Sequence, residues 1–458
     1  MRVLLVAPAS GGWRNVGRRR LFGGKSFRFS LLSLLTVAAE TPGGVEVRVV
    51  DEQVQDIPWG DRFDLVGITL MTAAAPRAYA LADRFRARGV PVVLGGMHPT
   101  FLPDEALLHA DAVCAGEAEG VWPRILDDAR AGRLAGVYRA DRPCSLVGLN
   151  RPPRHLLDRR HYGTVQAVQA TRGCPNRCSF CAVSAFHGGN LRRRPVGEVV
   201  AEVAELPGRF VIFVDDSLTA DRDYARELFS ALRPLGKSWI SQSTLDVTED
   251  PTLVRLAAES GCFGFFVGLE SFSEASLASV DKGFQRADEY REKVGFLHGH
   301  GIGVEAGIVF GFDADTPDVF RTTLRYLDDI RIDLVQVSIL TPLPGTPWFT
   351  SMGDRIVETD WSHFDFHHVV FRPKRMSAEQ LQAGHDWVTR EFYRPWRIAR
   401  RAARFASLPG GVGRLPYVLA LNGAYYGRTV RWGIRGRDPA FDSAAPAPKL
   451  NLGATTVR

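Results

Sequence analysis

Cysteine is scarce in this chain, six residues in 458, and Cys114, Cys144 and Cys262 stand singly. A disulfide framework belongs to small secreted domains, and no signal-peptide pattern opens the sequence, so that class is excluded. A closed zinc site asks for four ligands, typically as CxxC pairs separated by a longer stretch, and no second pair exists. Long hydrophobic runs are also missing: no uninterrupted apolar stretch reaches the roughly 18 residues of a spanning helix. Nor is there a large excess of one charge. The net charge is +6, too modest by itself to argue for a nucleic-acid partner. Hydrophobic residues at 45% can bury cores, and the length suggests about two to three domains. A soluble, cytoplasmic multidomain enzyme is expected.

What is present is a CxxxCxxC run, Cys174, Cys178 and Cys181, inside Thr171-Arg-Gly-Cys-Pro-Asn-Arg-Cys-Ser-Phe-Cys181. A four-iron cluster is held by thiolates, and three from one tight loop leave one iron without a protein ligand, open to another molecule. Reduced thiols in a reducing compartment suit a cluster that must accept an electron.

The N-terminal part alternates short apolar runs with amphipathic ones. Strands are predicted at Arg2 to Ala7, Val45 to Val50, Leu65 to Leu70 and Val92 to Leu94, with a helix over Pro76 to Arg88, which makes a parallel α/β unit. Gly95 and Gly96 follow the fourth strand, where glycine allows close backbone approach at the ligand edge of such sheets. Arg139 to Arg160, rich in Arg and Pro, reads as an interdomain connection. Six strand-helix units follow, with strands at Val165 to Ala170, Phe210 to Val214, Ser238 to Ser243, Phe263 to Gly268, Gly303 to Phe310 and Leu334 to Ile339. Helices are predicted over 195–206, 221–234, 250–260, 284–299 and 317–329. In a parallel barrel, reactive groups come from the carboxyl ends of strands, and the cysteine loop follows the first one. The alternation is lost after about residue 345, so a partial barrel is expected.

The cysteine loop, with Phe180 before its last cysteine, closely resembles the signature of the radical S-adenosylmethionine superfamily. Asp64 to Thr72, Gly95-Gly-Met-His-Pro-Thr100 and Gly116-Glu-Ala-Glu119 resemble the cobalamin-binding domain that precedes the radical domain in one subgroup. The fold implied is α/β: a Rossmann-like cobalamin-binding domain (1–140), a linker (141–163), a partial (β/α)6 radical barrel (164–345), a mainly helical extension (346–440) and a disordered tail (441–458). The resemblance departs at one motif. The DxHxxG histidine that ligates cobalt in other cobalamin proteins is absent, and Pro8-Ala-Ser-Gly-Gly-Trp13 stands in its place. His98 is a tempting substitute, but a histidine before proline in a loop is more often structural.

Site residues follow from the same resemblance. Cys174, Cys178 and Cys181 would ligate a [4Fe-4S] cluster. Phe180, Asp216 (runner-up Asp215), Glu270 and Ser271 would contact S-adenosylmethionine, Ser241 and Gln242 would meet either cofactor or substrate, and Ile308 or its neighbour Val309 could pack the purine, although such residues in a central strand are more often plain core; Thr69, Gly95, Gly96, Gly116 and Glu117 would contact cobalamin. Catalytic residues beyond these are not assigned. One of Asp215 and Asp216 could instead cap the following helix. The implied chemistry is formation of a 5′-deoxyadenosyl radical, hydrogen abstraction, and methylation of an unactivated carbon of a small-molecule or lipid substrate, with an external flavodoxin- or ferredoxin-type reductant. The alternative is a radical cyclase, rearrangement or oxidation enzyme in which cobalamin carries no methyl group. A methylthiotransferase acting on RNA is disfavoured, because its second cluster would need three more cysteines and only Cys114 and Cys144 precede the cysteine loop.

Three features remain. His363, His367 and His368 are more often structural than functional. The Thr341-Pro-Leu-Pro-Gly-Thr-Pro347 turn is rigid enough to shape a pocket mouth. The basic stretch Arg394 to Phe405, continued by Arg428, Arg431, Arg435 and Arg437, could be a solvated helix whose arginine stems cover the core, a peripheral membrane contact, or an RNA contact, in that order.

Overall fold

The computed structural model describes residues 1–9, 31–162 and 166–431. Its N-terminal sheet contains β1 (Arg2–Ala7), β2 (Glu46–Asp51), β3 (Leu65–Thr69), β4 (Val92–Gly95), β5 (Ala112–Ala115) and β6 (Gly136–Arg139), all parallel in the order β2-β1-β3-β4-β5-β6. Val3 to Val6 of the interior strand β1 are buried on both faces, as a parallel strand between two helical layers must be. Leu4, Val6, Val66 and Leu94 pack under the helix Ala75–Arg86; Val3, Leu5 and Val93 pack under Leu32–Ala39 and Trp122–Arg130. The four expected strands are present within a residue or two. The sequence does not announce the other two, β5 and β6: Ala112-Val-Cys-Ala115 and Gly136-Val-Tyr-Arg139 hold one β-branched residue each, where the equally short Val92-Val-Leu-Gly95 holds two.

The second sheet contains β7 (Ala167–Val168), and later β10 (Phe210–Phe213), β11 (Ser238–Ser243), β12 (Cys262–Glu270), β13 (Gly303–Phe310) and β14 (Leu334–Ile339). All are parallel and neighbours follow chain order, so the sheet is a six-stranded partial barrel. The first strand is shorter than expected, and residues 163–165 lie outside the described residues. After Val168 the chain enters a two-residue antiparallel pair, β8 (Thr171–Arg172) with β9 (Arg192–Arg193), which closes the neck of the cysteine loop.

An open barrel leaves an edge strand whose unpaired backbone groups need partners. Three residues from the C-terminal region supply them on β14. The Tyr393 hydroxyl accepts from Val335 N (3.1 Å) and donates to Val335 O (2.6 Å), His385 Nε2 meets Val337 O (3.3 Å), and Ile339 N donates to Phe366 O (2.7 Å). Tyr393 and His385 come from or just after the helix Ala378–Phe392, which Ser377 and Gln380 start with a reciprocal capping box.

The basic stretch forms the helix Pro395–Ala406, followed by Gly411–Arg431, and together they cover the amino end of the barrel. Tyr417 stacks on Phe210 at the start of β10, Arg414 donates to Gly301 O (2.8 Å), and the Tyr425 hydroxyl donates to Glu305 (2.5 Å). Arg401 is 2% exposed and donates to Phe392 O (2.7 Å) and Asn422 Oδ1 (2.9 Å); Arg397 and Arg400 pair with Asp328. These contacts fit the reading in which arginine stems cover the core. Among the described residues no helix is long and apolar enough to cross a membrane. Arg435, Arg437, the tail from 441 and Gly11 to Trp13 of the missing DxHxxG position lie outside the described residues, as does Ser10.

Candidate functional site

The cysteine loop is built by its neck and by the strand ends around it. Gly173 has φ +87, and a Cβ there would lie 1.9 Å from Asn190 O, so only glycine lets the two sides of the neck pass. Its N–H donates to Asp216 Oδ2 (2.8 Å). Inside the loop Cys181 N donates to Cys178 O (3.0 Å), and Ser179 is held at both ends, its N–H on Val280 O (3.3 Å) and its carbonyl on Trp348 N (3.0 Å). All three thiols are free; Cys178 is buried and the other two half-buried. Burial pushes the Cys178 thiol up to about 11, with the Lys282 ammonium pulling the other way. Phe180 packs against the barrel core.

The two aspartates after β10 have different surroundings. Asp215 is fully buried and accepts from Ala170 N, Thr171 N and the Thr171 hydroxyl, which fixes the turn from β7 into β8. Asp216 accepts one described bond, from Gly173, and faces His187 and Arg172. Neither caps the next helix; Asp221 does, accepting from Tyr224 N (3.0 Å).

Ser241 and Gln242 are neighbours on a strand, so they point to opposite faces. Ser241 shares the face of Trp239, which packs against Phe229 on the helix Arg222–Leu232; Gln242 is exposed on the opposite, lumen side, in register with Phe266. Ser241 therefore lies on the helix side, contrary to its assignment as a cofactor contact alongside Gln242. The same alternation corrects Ile308, which is 1% exposed within the core between sheet and helices, whereas Val309 presents the other face. Glu270 ends β12 at φ +60 and pairs with the Lys282 ammonium. The Ser271 hydroxyl accepts from Ser273 N (3.1 Å).

On the N-terminal sheet, Thr69 and Gly95 end adjacent strands in register. Gly96 follows at φ +103, where a Cβ would lie 2.6 Å from Leu70 O. Gly116 N donates to Thr100 Oγ1 (2.8 Å). Glu117 does not face this edge with free oxygens. Oε1 accepts from Arg172 (2.8 Å) and Arg192 (2.7 Å), and Oε2 accepts from Arg192 (2.8 Å) and Cys144 N (3.0 Å). Its assignment as a cobalamin contact is corrected: two arginines from the barrel occupy it. His98 is fully buried, with Nε2 near the Tyr79 hydroxyl (3.1 Å) and Glu105 (3.3 Å), while Trp361 Nε1 donates to the same Glu105 oxygen (2.9 Å). That cluster ties the C-terminal segment to the N-terminal domain.

The profile of the Radical SAM superfamily matches residues 168–327, and that of the B12 binding domain matches residues 33–126. The bacteriochlorophyllide d C-12(1)-methyltransferase of Chlorobaculum tepidum is 34% identical over 81% of this chain and 84% of its own. The chain belongs to the radical S-adenosylmethionine superfamily. The hopanoid C-2 methylase of Rhodopseudomonas palustris is 25% identical, over 69% of this chain and 62% of its own. The structure of the radical S-adenosylmethionine methyltransferase TsrM from Kitasatospora setae, with cobalamin and a [4Fe-4S] cluster bound, shares the fold at a TM-score of 0.65 and 15% identity, over 94% of this chain and 98% of that one.

The cofactors of this radical S-adenosylmethionine enzyme are a [4Fe-4S] cluster, S-adenosylmethionine and cobalamin. The residues present fit them. Among the described residues no three Cys, His, Asp or Glu side chains gather closely enough for a single ion, whereas a cluster takes thiolates at separate corners. Near the strand ends the buried hydroxyls of Ser179, Ser217 and Ser241 have no hydrogen-bond partner among the described residues, and Asp216 offers a carboxylate. Lys282 and His187 belong to the site and were missed. Neither sits at a strand end or in a spaced motif, so only the fold brings them to the cysteines.

Proposed function

We propose that the enzyme methylates an unactivated carbon of a small-molecule substrate. A bacteriochlorophyllide-type macrocycle is the first substrate to test and a hopanoid-type lipid the second, since relatives are named for these. The observation that carries the reading is one carboxyl edge on each sheet: the cysteine loop on one, and the Gly95-Gly96 turn on the other, with the Thr341–Pro347 turn meeting Phe101 of the N-terminal domain at Gly345. When bound, the cluster supplies the electron that cleaves S-adenosylmethionine to a hydrogen-abstracting radical, and cobalamin supplies a transferable methyl group.

In this reading Cys174, Cys178 and Cys181 hold the cluster. Asp216 accepts from the ammonium of the methionine moiety, a charge-assisted bond for which its carboxylate suits. Glu270 and Ser271 meet the ribose and carboxylate, Gln242 faces the lumen in register with Phe266, and Val309 rather than Ile308 packs the purine. Thr69, Gly95, Gly96 and Gly116 line the cobalamin edge. Residues 1–140 serve cobalamin, 141–163 link, 164–345 serve the cluster and S-adenosylmethionine, and the described part of the 346–440 extension covers the barrel. An external flavodoxin- or ferredoxin-type protein supplies the electron in the cytoplasm.

Peripheral contact with a lipid surface has one feature in its favour, the solvent-facing row Val412, Leu419 and Tyr426, spaced seven apart and 72%, 44% and 40% exposed. Liposome flotation of the chain with all three changed to Ser checks it; unchanged co-flotation removes the idea.

The activity is tested by anaerobic reconstitution with both cofactors and candidate substrates. Methylated product with 5′-deoxyadenosine and S-adenosylhomocysteine is expected. 5′-Deoxyadenosine without S-adenosylhomocysteine would replace methylation by cyclisation, rearrangement or oxidation.

A further inference from the structure

The arginines that form the neck of the cysteine loop do not end on the barrel. Arg172 on β8 and Arg192 on β9 both reach Glu117, in the Gly116-Glu-Ala-Glu119 loop that leaves β5 of the other sheet. Arg172 also pairs with Glu119. Two guanidiniums and two carboxylates balance, and all four side chains are between 9% and 21% exposed. Arg192 Nη2 further meets His187 Nδ1 (3.3 Å), at the end of the helix Ala182–His187 that follows Cys181. The network thus grips both strands of the neck and the exit of the loop.

We propose that Glu117, with Arg172 and Arg192, is a positioning device that sets the separation between the cluster and the cobalamin edge. The inference rests on the reading above, in which the cysteine loop holds the cluster and the β4–β5 edge holds cobalamin. Both groups sit on loops, and loops need an external constraint to hold a distance. The planar fork of arginine fixes a carboxylate in direction as well as distance. A buried charge that loses its partner cannot relax in place, so the device has few alternative geometries. Both Glu117 oxygens are committed to Arg172, Arg192 and Cys144 N, so the side chain acts through the neck.

The test is Glu117→Gln in the full-length holoenzyme, read by pulsed dipolar EPR between the reduced cluster and Co(II). Wild type gives one narrow distance distribution. Glu117→Gln is expected to broaden or shift it while iron and cobalt per chain stay near wild type. Methylated product per 5′-deoxyadenosine should then fall about tenfold to a hundredfold, as misplacement of reacting groups does. Arg192→Lys keeps the charge and loses the fork; the same measurement on it serves if Glu117→Gln fails to fold or load, and a smaller shift is expected. An unchanged distribution in the variant that loads overturns the proposal and leaves the methyltransferase reading standing. A wild-type protein that binds no cobalamin overturns that reading and the proposal with it.

Discussion

Lys282 sits on Glu270 in the space that Gly268 leaves open. Its ammonium donates to Glu270 Oε1 and to Gly268 O (2.9 Å), and a Cβ on Gly268 would lie 2.3 Å from that same glutamate oxygen. Both members are nearly buried, and Lys282 acts on Cys174 and Cys178 as the local cation. The pair therefore does two things: it holds Glu270 in its left-handed conformation, and it places a positive charge beside the cluster ligands.

Lys282→Met should leave Glu270 buried without its counter-charge, at a cost of about 3–5 kcal/mol. It should also make the cluster harder to reduce, because a cation near a cluster stabilises the added electron. Thermal unfolding and an EPR-monitored redox titration check the two effects separately. A potential equal to wild type would show that Lys282 serves structure alone.

The cysteine trio could be read from sequence because ligand spacing is a local property of one loop, and β10 to β14 because buried apolar runs between amphipathic helices are local too. Ser241 and Ile308 were misplaced although the signal was available: strand alternation puts Ser241 with Trp239 and Ile308 with Phe310, both core. Glu117 was different. It stands where cofactor contacts stand, and nothing near it in the chain announces Arg172 and Arg192, 55 and 75 residues away. Lys282 is hidden for the same reason, and β5 and β6 because each holds a single β-branched residue.

Gly173→Ala should disable the cysteine loop. The left-handed conformation alone costs about 1–3 kcal/mol for a residue with a Cβ, and contact with Asn190 O adds to it. The neck must then open, which also pulls Gly173 N off Asp216. Iron and sulfide per chain should fall severalfold after reconstitution, with the far-ultraviolet circular dichroism unchanged. Full iron content would contradict the steric argument.

Arg401→Met tests whether the basic C-terminal helix is a structural cover. Burial lowers the Arg401 guanidinium to about 10, yet the side chain stays because it bridges Phe392 O, Asn422 and the Phe392 ring face, 3.9 Å from the guanidinium carbon. Methionine fills similar volume but leaves those two acceptors unsatisfied, each worth about 1–3 kcal/mol. A loss of about 2–6 kcal/mol is expected in chemical denaturation, with activity retained at temperatures where the variant is folded. A neutral result would mean that the helix contributes little to the floor of the barrel.

Asp215 should make the stability of the enzyme fall as pH rises towards neutrality. Burial pushes its carboxyl up from 3.8 to about 7, against the pull of the Thr171 hydroxyl and the N–H groups of Ala170 and Thr171. The folded protein holds this proton more tightly than the unfolded chain. The contribution is therefore complete below pH 3.8 and is lost as pH rises through about 7, a swing on the order of 4 kcal/mol. Asp215→Asn cannot titrate. It should be less stable than wild type at pH 5, since its amide opposes backbone donors, but the difference should shrink at pH 8. Urea midpoints of both proteins at pH 5, 6, 7 and 8 measure this; two curves that stay parallel would mean that Asp215 holds no proton in that range and anchors the β7–β8 turn as a carboxylate.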